Sequence, residues 1–115
     1  MTKEEWSIPT WYFMHGFAEK INSEFYKNNY VNCWILVYKN ICNNLPCPIC
    51  RYHASNYIKN IKHSDINTKE KLINYIYEFH NDVNIKLGKN IYPKHKLNIY
   101  KNLILHAAFN KMYKK

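Results

Sequence analysis

The sequence predicts an all-α protein, built as a four-helix bundle with a short fifth helix. The chain has 115 residues, of which 47% are hydrophobic, enough to form one buried core. It contains 2 Gly and 4 Pro, few for a protein made of many strands and turns. Apolar residues recur at spacings of three and four, and no segment alternates convincingly with a period of two. We therefore expect a single domain that spans residues 1–115.

The first two helices are predicted in the N-terminal half of the chain. Ser7 is a suitable N-cap for the first, with Pro9 in its first turn. The asparagines at 28–29 interrupt the helical pattern. A second helix is predicted from about Val31 to Asn43, and Pro46 ends it. The apolar stripes consist of Trp11, His15, Ala18, Ile21 and Phe25 in the first helix, and Trp34, Val37, Ile41 and Leu45 in the second.

The third helix is predicted to begin at Pro48 and to run to about Ile61. Its spacing places Cys50, His53 and Tyr57 on one side. Residues 63–67 are expected to form a turn.

The fourth helix is predicted to follow a cap at Asn67 or Thr68 and to stop at Gly88. It would have about 20 residues and a length of about 30 Å. A last helix is predicted after Pro93. The apolar residues are Leu72, Ile76, Phe79, Val83 and Leu87 in the fourth helix, and Leu97, Tyr100, Leu103, Ile104, Ala107 and Ala108 in the last.

The charge and the hydropathy argue against two classes of protein. The formal net charge is +9, but Arg51 is the single arginine among 17 basic residues, and arginine is the main reader of bases and phosphates. We therefore do not expect specific nucleic-acid binding. No run of about 18 apolar residues occurs, so no membrane span is predicted. The residues at 1–5 are too polar and acidic for a secretory signal, and we expect a cytosolic location.

The most informative motif is Cys47-Pro48-Ile49-Cys50, at the start of the third predicted helix. The partial positive charge of a helix N-terminus favours a thiolate there. The two other cysteines, Cys33 and Cys42, lie nine residues apart on one predicted helix, too far to form a disulfide with each other. We expect these two to be small buried hydrophobic residues.

Three uses of the Cys-x-x-Cys pair remain open from the residues alone. A structural zinc site needs four ligands, and His53 and His63 are the candidates to complete it. A thioredoxin-like domain needs a strand before the motif, whereas the preceding segment is predicted to be helical. A dithiol that serves a bound cofactor needs a helical bundle with a flat, aromatic pocket, for which the helix faces offer candidates.

Three blocks of the sequence resemble the Erv/ALR family of FAD-linked sulfhydryl oxidases. The first is Trp6 to Trp11 followed by His15 and Ala18, and the second is the segment 45–54, which is similar to the redox centre of the short viral members. The third, 79–89, matches the family's His-Asn-x-Val-Asn-x-x-Leu-Gly-Lys flavin segment at every fixed position. The chain departs from the family pattern at Ser7, where a glycine is usual, and at Tyr75, where a tryptophan is common.

The resemblance implies a helical bundle that holds FAD at one end, commonly as a homodimer. It implies an enzyme that oxidises dithiols to disulfides and reduces oxygen to hydrogen peroxide. Short viral members act in the host cytoplasm on small thiol-bearing proteins or on a relay protein. If the protein is viral, the expected locations are therefore the host cytoplasm and the virion.

The resemblance also assigns the candidate site. Cys47 would be the sulfur that substrate thiolates attack, and Cys50, one turn deeper, the sulfur that passes electrons to the flavin. The candidate FAD-binding residues are Trp6, Trp11, His15, His53, His80, Val83, Asn84, Lys86 and Lys89. Their types suit the ligand, since aromatic rings offer flat surfaces and lysines meet a pyrophosphate as point charges. The alternative is a zinc-stabilised helical interaction module that uses Cys47, Cys50 and histidines.

Overall fold

The computed structural model describes residues 2–102, which form helices and connecting turns without any strand. The all-α prediction is confirmed, although the described part of the chain has six α-helices. A π-helical segment, Trp34–Lys39, joins the second of these helices to the third, and a 3₁₀ segment, Lys94–Asn102, closes the described region. The α-helices are α1 (Lys3–Lys20), α2 (Ser23–Cys33), α3 (Asn40–Asn43), α4 (Pro48–Ile58), α5 (His63–Ile66) and α6 (Lys69–Lys86).

Helix α1 begins four residues before the predicted cap at Ser7, so that prediction is wrong. Thr2 caps it instead, because its side chain accepts a hydrogen bond from the Glu5 N–H while the Glu5 carboxylate accepts one from the Thr2 N–H. This reciprocal capping box satisfies two backbone donors and stabilises the earlier start. Pro9 consequently lies inside the helix rather than in its first turn.

The helix predicted from Val31 begins earlier, at Ser23, where Asn22 caps it by accepting from the Phe25 N–H at 2.9 Å. Phe25 therefore does not belong to the stripe of α1. The predicted interruption at 28–29 is a kink, with Asn29 at φ −135° and ψ 20°. The predicted end at Asn43 is confirmed.

The C-terminal half follows the predicted order, with three differences. The last helix, predicted after Pro93, is a 3₁₀ segment, Lys94–Asn102, in the described residues. Helix α4 begins at Pro48 as predicted but ends at Ile58, three residues early. The segment predicted as a turn contains the short helix α5. Thr68, one of the two predicted caps, accepts from the Lys71 N–H at the start of α6. Gly88, at φ +71°, follows the end of α6 as predicted, and this left-handed conformation suits glycine.

The core lies where α6 meets α1, α2 and the π-helical segment. Two buried tyrosines connect elements around this core. Tyr26 of α2 donates to the Ile66 carbonyl of α5 at 2.6 Å, and Tyr38 of the π-helical segment donates to the Met14 carbonyl of α1 at 2.8 Å. Cys33 and Cys42 are buried in this core, as predicted. Leu97 and Tyr100 are also buried, while Leu103, Ile104, Ala107 and Ala108 lie outside the described residues. Within residues 2–102, the helices are too short or too polar to span a bilayer.

Candidate functional site

A cavity of about 630 Å³ lies between α1, the start of α4 and the C-terminal part of α6. This volume falls within the range of pockets that bind small-molecule ligands or cofactors. Ten of the eleven site residues proposed from the sequence line it, and His15 is the exception. The ten are Cys47, Cys50, Trp6, Trp11, His53, His80, Val83, Asn84, Lys86 and Lys89.

Trp11 and His80 form one continuous aromatic surface of the cavity. Their rings stack with centroids 4.0 Å apart and planes 9° apart. No third ring fits between planes at that separation, so a flat ligand would lie against the exposed face of this pair. Trp11 also packs against Phe79 in a T-shaped arrangement, with ring centroids 5.3 Å apart, which restricts the tilt of the indole.

His15 lies behind this surface, buried, and supports it. One nitrogen of each ring forms a hydrogen bond, with His15 Nε2 at 2.8 Å from His80 Nδ1. Tyr100 also stacks on His15, with ring centroids 4.8 Å apart. The sequence did not show that Trp11 lies in the cavity wall whereas His15 supports it from behind, because Trp11 and His15 lie on the same stripe of α1.

Both histidines are held in the neutral form. Burial, and then the neighbouring His80, lower the pKa of His15 to about 3. Burial, and then the charge of Lys89, lower the pKa of His80 to about 4. A neutral pair can share one N–H between the two rings, whereas two imidazolium rings at this distance would repel each other.

The two cysteines at the start of α4 are chemically unequal. Cys47 is the N-cap of α4, and the Cys50 N–H donates to its sulfur at 3.3 Å. The hydrogen bond from the Cys50 thiol, followed by that from the Cys50 N–H, lowers the pKa of Cys47. Burial, followed by the same thiol hydrogen bond, raises the pKa of Cys50. In the reduced pair, therefore, Cys47 ionises first and Cys50 retains its proton.

The turn before this pair is held by side-chain hydrogen bonds. Arg51 donates through Nη1 to the Leu45 carbonyl at 2.6 Å. The Ser55 hydroxyl donates to Oδ1 of Asn43 at 2.9 Å. The single arginine of the chain thus stabilises the turn that places Cys47 at the cavity.

Several lining residues were not proposed from the sequence. Tyr92 stacks on His80 with centroids 5.3 Å apart, and it belongs to the segment after Gly88, which has no helical periodicity. Asp82 forms an ion pair of 3.1 Å with Lys86. The other unproposed residues with large side chains include Ile8, Tyr12, Met14, Leu45, Ile49, Phe79, Leu87 and Tyr100. Tyr92 is placed by hydrogen bonds that no short sequence pattern reveals.

The zinc alternative finds no support in these positions. Among residues 2–102, no three His, Cys, Asp or Glu side chains converge in a way that could hold a metal ion. His63, one of its proposed ligands, lies with Nδ1 at 2.8 Å from the hydroxyl of Tyr30.

Comparison with known proteins gives a consistent result. Residues 8–102 match the model of the Erv1/Alr family. The chain is 37% identical over 76 residues to the FAD-linked sulfhydryl oxidase of African swine fever virus isolate Tick/Malawi, covering 64% of this chain and 60% of the viral protein. It is 39% identical over 56 residues to the putative FAD-linked sulfhydryl oxidase 347L of Invertebrate iridescent virus 6, covering 44% and 50% respectively.

A second African swine fever virus protein of the same name, from isolate Pig/Kenya, is 38% identical over 74 residues, which cover 63% of this chain and 58% of that protein. The chain therefore spans between half and three fifths of the length of these relatives. No solved structure matches it significantly.

Proposed function

The chain belongs to the Erv1/Alr family, and from this premise we propose that it is an FAD-dependent thiol oxidase. It would take two electrons from a dithiol substrate through Cys47 and Cys50 and deliver them through FAD to oxygen, giving hydrogen peroxide. One observation carries the proposal: the cysteine pair and the aromatic surface of Trp11 and His80 line the same cavity. The names of the viral relatives support the same activity.

The residues of the cavity fit FAD by chemical type. The Trp11–His80 surface can stack against a planar ring, and Asn84 can form hydrogen bonds with its amide. Lys86 and Lys89 can balance the charge of a pyrophosphate. When bound, FAD would supply the transfer of electrons from a dithiol to oxygen, which no side chain can perform.

The cysteines would carry out the thiol chemistry. With the pair oxidised, a substrate thiolate attacks the Cys47 sulfur, the Cys47–Cys50 bond breaks, and the electron pair of that bond remains on Cys50. A second substrate thiolate then attacks the substrate sulfur of the mixed disulfide and expels Cys47. The lowered pKa of Cys47 makes it a good leaving group in this second step. The substrate leaves as a disulfide, and Cys47 and Cys50 are left reduced.

The proposed activity is tested on the purified protein. We expect flavin absorbance, oxygen consumption that depends on an added dithiol, and one hydrogen peroxide per disulfide formed. A correctly folded, colourless protein that takes up no added FAD would end the proposal.

The partners and the location are proposed on the same premise. The substrates would be small thiol-bearing proteins or a relay protein in the cytoplasm of an infected cell, since the named relatives are viral. We also propose a homodimer. Exposed apolar side chains on α2 and the π-helical segment support it, with Val31 41%, Ile35 47% and Leu36 72% exposed.

A further inference from the structure

Asn81 makes three side-chain hydrogen bonds although it does not line the cavity. Its Oδ1 accepts from the Tyr92 N–H at 2.7 Å, and its Nδ2 donates to the Tyr92 carbonyl at 3.3 Å. Its Oδ1 also accepts from the side-chain amide of Asn84, at 3.3 Å. Asn81 thus connects α6 both to the segment that carries Tyr92 and to a residue of the cavity wall.

The two bonds to Tyr92 determine which way the Asn81 amide points. A backbone N–H only donates and a backbone carbonyl only accepts, so Oδ1 and Nδ2 of Asn81 cannot exchange places without losing both bonds. The atom that faces Asn84 is therefore an acceptor. Asn84 must turn its NH₂ group toward Asn81 and keep its carbonyl oxygen for another partner.

Asn84 lines the cavity and is 9% exposed. Its backbone carbonyl accepts from the Lys89 N–H at 2.8 Å, which anchors the turn at Gly88 to the same residue. A buried amide that can rotate freely would present either a donor or an acceptor to a ligand. Here the chain of bonds from Tyr92 through Asn81 selects the acceptor.

We infer that Asn81 is a positioning residue that fixes the side-chain carbonyl of Asn84 as a hydrogen-bond acceptor for FAD. The inference rests on the proposed function, because it requires FAD in this cavity. It assigns a specificity: the group of the ligand that meets Asn84 is a donor, such as an amine, an imide N–H or a hydroxyl. Asn81 itself does not touch the ligand.

The test is a double-mutant cycle read by FAD affinity. Flavin is removed from the wild type and from Asn81→Ala, Asn84→Ala and the double variant, and the dissociation constant is measured by quenching of flavin fluorescence. We expect each single substitution to weaken binding about tenfold, the effect of one buried hydrogen bond. The double variant should bind no more weakly than Asn84→Ala alone, because Asn81 acts through Asn84.

A conservative variant separates orientation from simple packing. Asn81→Asp still accepts from Asn84 and from the Tyr92 N–H, so it should bind FAD more tightly than Asn81→Ala. Asn74 on the same helix supplies the controls, since its side chain bonds to Glu78 and Lys94, neither of which lines the cavity. Asn74→Ala and Asn74→Asp should both bind as the wild type does.

Three results would overturn the inference while leaving the proposed oxidase intact. These are normal FAD binding by Asn81→Ala, fully additive losses in the double variant, and an Asn81→Asp affinity as weak as that of Asn81→Ala. A wild-type protein that binds no FAD would end both proposals.

Discussion

At the scale of single residues, the unequal pKa values of Cys47 and Cys50 have a direct chemical consequence. Iodoacetamide reacts with thiolates, so in the reduced protein we expect Cys47 to be alkylated first, with a pH midpoint below that of an ordinary thiol. Peptide mapping by mass spectrometry would measure the rate at each sulfur.

The Cys50→Ala variant provides the matched comparison. It removes the thiol that donates to Cys47 and keeps the backbone N–H, so the pH midpoint of Cys47 should rise. Equal alkylation of both cysteines, or an unchanged midpoint in this variant, would contradict the assignment.

The same pair provides a test by substitution. Cys47→Ser and Cys50→Ser should each abolish dithiol-dependent oxygen consumption and leave FAD bound, because neither sulfur belongs to the aromatic surface. Cys42 is the control, since it lines the cavity but is buried, and burial raises its pKa to about 12. Cys42→Ala should retain activity. Loss of flavin from the two serine variants would instead indicate a structural pair.

At the scale of the elements, the end of α6 depends on Gly88. Its φ of +71° is strained for a residue with a Cβ, although no atom lies close enough to obstruct one. Gly88→Ala should therefore lower the free energy of unfolding by about 1 kcal/mol, and Gly88→Asn by less, as measured by urea unfolding. An alanine variant as stable as the wild type would show that the turn can adopt another conformation.

The elements also show what the sequence could and could not predict. Helix α6 was predicted closely because its signals are local: Thr68 at its cap and Gly88 at its stop. The start of α1 was misplaced because two capping signals compete there, and the Thr2–Glu5 pair prevails over Ser7 before Pro9. The π-helical segment was not predicted, and its Trp34 and Tyr38 stack on each other in the core.

The site was predictable to the extent that it lies on regular helices. Cys47, Trp11 and His80 follow motifs with fixed spacing, and all three reach the cavity. The supporting position of His15 and the placement of Tyr92 depend on contacts between segments far apart in the sequence. Spacing along one helix does not contain that information.

At the scale of the whole molecule, the buried histidine pair couples stability to pH. The pKa values of His15 and His80 are lowered on folding, to about 3 and about 4, from an ordinary value of 6.5. The contribution of these neutral histidines to the free energy of unfolding is fully present above about pH 6.5. It is lost as the pH falls toward their pKa values in the folded protein. Each histidine can add at most about 1.4 kcal/mol per pH unit to the slope of the unfolding free energy.

This coupling is measured by urea unfolding between about pH 7 and pH 5, where the unfolded histidines titrate. The wild type should lose stability, and His80→Asn should lose less because one titrating group is absent. Asn56→Ala, which replaces an exposed residue and removes no titrating group, should have the slope of the wild type. A His80→Asn slope equal to that of the wild type would contradict the coupling.

The proposed homodimer is also a property of the whole molecule. Leu36 is 72% exposed and does not line the cavity, so Leu36→Lys should reduce the mass measured by light scattering from dimer to monomer and leave FAD bound. Asn56→Lys adds the same charge to an exposed position of α4 and should remain dimeric. A monomeric wild type would refute the dimer, and an unaffected Leu36→Lys would exclude this surface as its interface.

The use of Arg51 within its own turn has a practical consequence for handling the protein. With the only guanidinium bonded to the Leu45 carbonyl, the cations at the cavity are lysines, among them Lys86 and Lys89. Dissolved salt screens the attraction between a lysine ammonium and a phosphate more readily than that of a guanidinium with two hydrogen bonds to the phosphate. Dialysis against concentrated sodium chloride should therefore bleach the yellow colour gradually, and desalting with added FAD should restore it.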